Sequence, residues 1–219
     1  MAAQGYANGE GALVTTAEDK SRPSGIYEEL LPSQIRLVEV LPGEFEDPIE
    51  LRIKVVDLED EPLYDALSYV WHPKDGTVDT SRPLNRAKLV GHEVFLIAIG
   101  ANLDSAIRHL RAKVSTSSAP QKLWIDALCI NQSDSRERNH QVGLMKNIYS
   151  SAHQVLIWLG PAVGKSDFCI QVLRSGCLDH QDANRFLQAL SALIYRSWFT
   201  RLWWVAYLMN TPPRTLANS

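Results

Sequence analysis

Short apolar runs separated by polar loops predict six strands along the chain. The first two runs alternate apolar with polar residues, which is typical of strands with one solvent-exposed face, and the Pro-Gly pair between them predicts an antiparallel hairpin. The run at 123–130 is nearly continuously apolar, as a strand covered on both faces would be. The predicted strands fall within residues 35–43, 49–58, 64–71, 93–99, 123–130 and 154–160.

Amphipathic segments between these runs predict helices. Asn102 stands where a helix cap is expected, and Asp134 with Glu137 forms a pair typical of a capping box. The apolar face of the first helix is predicted as Leu103, Ala106, Ile107 and Leu110, at i, i+3, i+4 and i+7 spacing. The buried stripe of the second is predicted as Val142, Met145, Ile148, Tyr149 and Ala152. Further helices are predicted near 166–175, 182–196 and 196–209.

Strands that alternate with helices from about residue 64 to 205 predict an α/β fold. We expect a mostly parallel sheet flanked by helices, with the antiparallel hairpin at its N-terminal side. In open α/β sheets, ligands bind beyond the carboxyl ends of the strands, where helix N-termini also point their free amides.

Polar side chains gather where two of the predicted strands end. We therefore expect these two ends to meet at one rim of the sheet and to form a ligand pocket. The candidate pocket residues are Ser68, Tyr69, Trp71, Asp126, Asn131, Gln132 and Glu137.

Asp126 and Glu137 are the candidate catalytic residues, and each also has a structural interpretation. An unpaired carboxylate inside an apolar strand is costly, so Asp126 either accepts hydrogen bonds from loop amides or faces a ligand. Glu137 either caps a helix or takes part in catalysis. Ser68 lacks the Gly-x-Ser-x-Gly elbow on which a hydrolase triad of this kind is built.

The segment GPAVGKS at 160–166 follows a predicted strand and precedes a predicted helix, as a phosphate loop does. It has three residues between its glycines where the Walker pattern has four. Ser166 is therefore interpreted as a helix cap, with a nucleotide-binding loop as the alternative. His140 and His153 show no zinc-site spacing with Cys, Asp or Glu, so no metal site is predicted.

Composition narrows the class of protein. The 219 residues, of which 45% are hydrophobic and 21% charged, fit a soluble globular domain, and a net charge of −3 gives no support for nucleic-acid binding. No apolar run approaches the roughly 20 residues that span a bilayer, and no secretory signal is visible. We expect a cytoplasmic protein with a disordered leader at 1–25, one domain at 26–207 and an irregular tail at 208–219.

Three blocks of the sequence resemble the fungal heterokaryon-incompatibility (HET) domain. They are YDALSYVW at 64–71, the long block at 123–160 and RSWFTRLWW at 196–204, and the resemblance spans about residues 27–205. It implies a signalling domain of fungal self/non-self recognition, a form of innate immunity, whose activation triggers programmed cell death. Such a domain would act through self-association or through protein partners.

The HET domain is in turn remotely similar to the TIR domain, a flavodoxin-like α/β fold in which some members cleave NAD with a glutamate in a Trp-x-x-x-Glu setting. HET domains carry their nearest candidate glutamate in a Trp-Val-x-Gln-Glu segment, but Ala206 and Tyr207 occupy the Gln-Glu positions here. A phenol with a pKa near 10 cannot replace a carboxylate at neutral pH. The resemblance therefore implies a catalytically weak or inactive domain that is truncated after its last block, with a TIR-like NAD-cleaving enzyme as the alternative.

Overall fold

The computed structural model of the protein describes residues 26–74, 85–91, 94–114 and 120–200. The predicted leader and tail lie outside these residues, as do Ala206 and Tyr207 and the part of the predicted last helix beyond residue 200. The strands are β1 (Gln34–Val40), β2 (Glu50–Asp57), β3 (Asp65–Ser68), β4 (Asn85–Val90), β5 (Val94–Ile99), β6 (Gln121–Trp124) and β7 (Gln154–Ile157). The α-helices are α1 (Ala101–Val114), α2 (Asp126–Cys129), α3 (Ser135–Ser151), α4 (Ser166–Ser175) and α5 (Ala183–Ile194), and single 3-10 turns cover Leu58–Asp60, His180–Asp182 and Ser197–Thr200.

The described strands form one seven-stranded sheet in the order β5-β4-β2-β1-β6-β3-β7. Strand β3 pairs in parallel with β6 and with β7, and β2 pairs in parallel with β4. The other three neighbouring pairs, β1 with β2, β1 with β6 and β4 with β5, are antiparallel. The predicted α/β class is confirmed, while the sheet is mixed rather than mostly parallel.

The predicted N-terminal hairpin is confirmed, with Val40 opposite Leu51. It is part of the main sheet, because β1 also pairs with β6 and lies at the centre of the strand order. The expected solvent-exposed face is therefore wrong for β1, in which even Arg36 and Glu39 are buried. The Glu39 carboxylate is neutralised by the Lys54 ammonium on β2, at 2.7 Å.

The predicted strand at 123–130 is wrong in its second half, where the chain forms the single helical turn α2. The Asp126 carboxylate accepts the amide of Ala127 at 2.7 Å, and the Cys129 amide donates to the Ile125 carbonyl at 2.7 Å. These two bonds close the turn. Buried helical turns and buried strands are both apolar, so a short apolar run does not distinguish them.

Helix α3 begins as predicted, because the Asp134 carboxylate accepts the amides two and three residues later at 2.8 and 3.2 Å. The buried face of α3 differs from the prediction in one turn, where the buried position is 141 rather than 142. Val142 is 55% exposed, whereas Gln141 is buried and donates to the Gln34 carbonyl at the start of β1, at 2.9 Å. The predicted stripe is buried at Ile148, Tyr149 and Ala152 and partly buried at Met145.

The main core lies between the sheet and helices α1, α2 and α3. Helices α4 and α5 enclose a smaller apolar cluster around Cys169, Ala189 and Leu193. Trp198 is buried, with its ring edge-on to Phe199 at 5.1 Å. Among the described residues, no helix combines the length and apolar character that a membrane span requires.

Candidate functional site

The ends of β3 and β6 leave the sheet side by side. The two strands are parallel neighbours, with Ala66 paired to Trp124, so both chains emerge at the same edge. Strand β7 lies on the other side of β3 and also runs parallel to it. The sequence predicted that the end of β3, at Ser68 and Tyr69, and the segment after residue 125 share one rim of the sheet. The parallel pairing of β3 with β6 confirms this prediction.

Trp71 and Asp126 are in direct contact at this rim. The Trp71 indole N–H lies 3.1 Å from each of the two carboxylate oxygens of Asp126. Trp71 is 38% exposed and Asp126 is partly exposed, so the pair is open to solvent on one side. The exposed indole offers a flat face for stacking, and the Asp126 carboxylate beside it also accepts the Ala127 amide at 2.7 Å.

The amide side chains after α2 shape the loop that leads into α3. Gln132 donates from Nε2 to the Asp126 carbonyl at 2.9 Å, which ties the loop back to the start of α2. Asn131 accepts the Ser133 hydroxyl at 2.6 Å and the Ser133 amide at 3.2 Å through Oδ1. Both amides thus support the rim, and Gln132 does so next to the Asp126 backbone.

Glu137 is held by a buried arginine from β1. The Arg36 guanidinium donates to both carboxylate oxygens, at 2.5 and 3.2 Å, and the Asn131 amide donates to the same carboxylate at 2.7 Å. The Arg36 side chain is 0% exposed and that of Glu137 is 10% exposed. The same guanidinium donates to the Cys129 and Glu28 carbonyls, so the pair fastens the N-terminal segment and the loop after α2 to the sheet.

Ser68 and Tyr69 are buried at the strand end, at 2% and 4% exposure. The Ser68 hydroxyl accepts the indole N–H of Trp198 at 2.9 Å, and its carbonyl accepts the Trp158 amide at 2.9 Å. These contacts pack the end of β3 against β7 and the last 3-10 turn. Of the seven candidate residues, the structure brings Trp71 and Asp126 into direct contact. Ser68, Asn131, Gln132 and Glu137 hold the neighbouring strand end and loop, and Tyr69 is buried.

Comparison with known proteins identifies the family. A family profile described as Heterokaryon incompatibility protein (HET) matches residues 64–206, which is more than half of the chain. The chain belongs to the HET family.

One curated relative is similar to this HET domain. Heterokaryon incompatibility protein 6, OR allele, of Neurospora crassa is 37% identical over 145 residues, which cover 64% of this chain and 21% of the relative. The chain therefore spans about a fifth of the length of the curated relative it matches. No solved structure matches the chain.

The HET match contains all seven candidate residues, because it begins just before β3. Arg36, in contrast, lies on β1, ahead of the matched range. The partner that neutralises Glu137 is thus supplied by a strand outside the family match. Local sequence patterns could not predict the Arg36–Glu137 ion pair, since the two residues are 101 positions apart.

Asn102 is a residue of the HET domain whose role the sequence did not reveal. It was predicted as a cap of α1, but it lies inside the first turn, and its side chain reaches the strand ends. Its Nδ2 donates to the Val70 carbonyl at 2.7 Å, and its Oδ1 accepts the Trp158 indole N–H at 2.9 Å. Asn102 therefore joins the ends of β3 and β7 to α1. The residue that it binds at the end of β3, Val70, directly precedes Trp71.

The Walker-like segment of the HET domain lines a cavity whose lining includes neither Trp71 nor Asp126. Val163, Gly164, Lys165 and Ser166 line one side of a cavity of about 380 Å³, and α5 lines the other. Ser166 is the first residue of α4, and its hydroxyl accepts the amide of Val163 at 3.1 Å. The hydroxyl is thus used to close the loop ahead of α4.

The described cysteines provide no reactive thiol at the rim. Burial raises the pKa of Cys129 to about 12, so at neutral pH this residue is a protonated thiol rather than a nucleophile. Burial also raises the pKa of Cys169, and Cys177 is exposed but lies beyond α4. No group of three or more His, Cys, Asp or Glu side chains in the described ranges is arranged to hold a metal ion.

Proposed function

We propose that this HET domain is a signalling module of fungal heterokaryon incompatibility, whose activation leads to cell death through self-association or binding of protein partners. The observation that carries the proposal is the family match over residues 64–206, supported by the similarity to a protein named for heterokaryon incompatibility. The proposal places the domain in the cytoplasm and assigns it protein partners rather than nucleic acid.

The geometry of the rim supports binding over catalysis. Glu137, one of the two candidate catalytic residues, has both carboxylate oxygens on a buried arginine. Ser68 is buried, and its hydroxyl accepts a hydrogen bond from Trp198. A general acid or base has to reach a substrate proton, and the Glu137 side chain is only 10% exposed and already bound to Arg36.

Inducible expression in a filamentous fungal host tests the proposal. We expect expression of the chain to reduce the number of viable cells, and we expect Asp126→Asn to reduce it to the same extent, because signalling by association does not need that carboxylate. Immunoblotting for equal soluble protein is the control. Unchanged viability at high soluble abundance would contradict the proposal.

A TIR-like NAD-cleaving enzyme is the second candidate, and the Trp71–Asp126 pair favours it. An exposed indole could stack on a nicotinamide or adenine ring while the carboxylate accepts a ribose hydroxyl. Incubation with NAD followed by chromatography of nicotinamide distinguishes the two candidates. We expect no release above background from the wild-type chain or from the double substitution Ala206→Gln and Tyr207→Glu.

Nicotinamide release would support the enzyme if it depended on Asp126. The decisive pattern is release that Asp126→Asn abolishes and that Asp167→Asn leaves intact, since Asp167 is an exposed acid in the first turn of α4. Release that neither substitution changes would come from a contaminating enzyme or from another part of the chain, and the rim would then have no catalytic role.

A further inference from the structure

One face of the sheet carries basic side chains from three of its strands. Lys122 of β6 and Arg52 of β2 flank Glu39 of β1 on this face, and Lys88 of β4 stands beside Glu50 of β2. Side chains at alternate positions of a strand point to the same face, so β2 and β4 each contribute one further cation. This basic sheet face comprises Arg52, Lys54, Arg86, Lys88 and Lys122.

The cations of the basic sheet face reach solvent. The side chains of Arg52, Lys54 and Lys88 are 45%, 52% and 40% exposed. Arg86 and Lys122 are exposed as well. The opposite face of β2, β4 and β5 packs into the main core, so the basic sheet face is the solvent side of this part of the sheet.

Carboxylates neutralise the basic sheet face only in part. The Glu39 side chain is 3% exposed and binds Lys54 at 2.7 Å and Arg52 at 3.4 Å, and Glu50 binds Lys88 at 3.0 Å. Over the described strands the face therefore carries five cations and two carboxylates, a formal charge of +3, in a chain whose net charge is −3. Positive charge is thus concentrated on one face of an acidic chain.

Exposed aliphatic residues border these cations. Leu96 of β5 stands beside Lys88, and Val94 lies two positions earlier on the same face, at 54% and 61% exposure. Cations beside exposed aliphatic side chains are typical of protein surfaces that bind lipid headgroups and the acyl boundary below them. Single-stranded nucleic acid is instead bound by aromatic side chains on which the bases stack, and the described part of this face exposes no aromatic residue.

We propose that the basic sheet face binds the surface of membranes that contain anionic phospholipids. The lysine and arginine side chains contact the headgroups, and Val94 and Leu96 contact the boundary with the acyl chains. Such binding is peripheral and weakens as salt is added, because salt screens the attraction between exposed charges. The inference goes beyond the proposed function, since it assigns the domain a place against a membrane whether or not activation leads to cell death.

Vesicle co-sedimentation of the purified full chain tests this surface. Vesicles of phosphatidylcholine with about one third phosphatidylserine should bind the wild-type chain, and vesicles of phosphatidylcholine alone should bind it at least about tenfold more weakly. The double substitution Arg86→Gln and Lys122→Gln removes two cations and spares those that hold Glu39 and Glu50. We expect it to weaken binding to anionic vesicles at least about tenfold, since each basic residue near such a surface contributes about fivefold.

The double substitution Lys165→Gln and Arg174→Gln is the matched control. It removes the same two charges from exposed positions at the two ends of α4, so the two double variants have the same net charge. We expect this control to bind anionic vesicles as the wild-type chain does, and circular dichroism checks that both variants are folded. Equal binding of the two double variants would overturn the basic sheet face as the binding site.

Two serine substitutions test the apolar part of the contact. Leu96→Ser should weaken binding to anionic vesicles at least about threefold, whereas Leu187→Ser on α5, where the leucine is 60% exposed, should leave it unchanged. Polyglutamate and polyuridylate are the competing probes. Binding to either polymer by a chain that anionic vesicles do not sediment would assign the face to an acidic protein or to nucleic acid and overturn the lipid proposal. A wild-type chain that binds none of the probes would overturn it as well, and the viability assay would still judge the proposed function.

Discussion

Replacing Glu137 with alanine will lower the free energy of unfolding by about 3–5 kcal/mol, because it leaves Arg36 as a buried charge without its carboxylate partner. The Arg36 side chain is 0% exposed and donates to both oxygens of Glu137, so water cannot take over the role of the carboxylate without opening the structure. Urea denaturation followed by circular dichroism measures the change. An exposed glutamate, Glu59, provides the control, and Glu59→Ala should change stability by less than about 1 kcal/mol.

A double substitution separates the buried charge from the loss of packing. Replacing Arg36 and Glu137 together with methionine removes both charges and keeps apolar volume, so we expect it to recover part of the stability lost in Glu137→Ala. Recovery is incomplete because the Cys129 and Glu28 carbonyls and the Asn131 amide lose their side-chain partners. If Glu137→Ala unfolds at the same urea concentration as the wild-type chain, the pair does not hold the N-terminal segment as the structure indicates.

The structural role of the Arg36–Glu137 ion pair makes Glu137 a poor position at which to test catalysis in this domain. Loss of activity in Glu137→Ala would be ambiguous, because the substitution destabilises the loop that follows α2 as well as removing a carboxylate. Asp126→Asn avoids this problem, since Asp126 is partly exposed and an amide keeps an oxygen that can accept the Trp71 indole N–H. Because the Asp126 side chain also accepts the Ala127 amide in the turn of α2, circular dichroism should confirm that Asp126→Asn is folded before its activity is compared.

Local patterns in the sequence predicted the features that depend on neighbours in the chain. Alternating apolar residues with a Pro-Gly pair predicted the β1–β2 hairpin, and the capping residue Asp134 predicted the start of α3. The expectation that Trp71 and Asp126 share a rim also succeeded, because parallel strands that are neighbours must end at the same edge.

Local sequence patterns could not predict the features that depend on contacts between residues far apart in the chain. A hairpin has the same pattern at the edge of a sheet and at its centre, so the burial of Arg36 and Glu39 required knowledge that β6 pairs with β1. The helical turn at Asp126 was missed because apolar residues are buried equally well in a strand. Asn102 was predicted as a cap because an Asn near a helix start is typical of one. No local pattern shows that its side chain reaches the Val70 carbonyl.

Replacing Asn102 with leucine will lower the free energy of unfolding by about 2–4 kcal/mol, because it leaves two polar groups at the strand ends without partners. The Val70 carbonyl loses its donor, and the buried indole N–H of Trp158 loses its acceptor. Since Val70 precedes Trp71, we also expect the Trp71 ring to lose its fixed position against Asp126. Urea denaturation measures the stability, and near-ultraviolet circular dichroism reports the tryptophan environment.

Asn184 supplies a matched control, because it is the second residue of α5 as Asn102 is of α1, and it is exposed. Asn184→Leu should change stability by less than about 1 kcal/mol, which isolates the two side-chain bonds from any effect on helix propensity. Asn102→Asp separates the bonds further, since a carboxylate still accepts from Trp158 but can no longer donate to Val70. If Asn102→Leu and Asn184→Leu are equally stable, the strand ends are held by packing alone, and Asn102 does not position the Trp71–Asp126 pair.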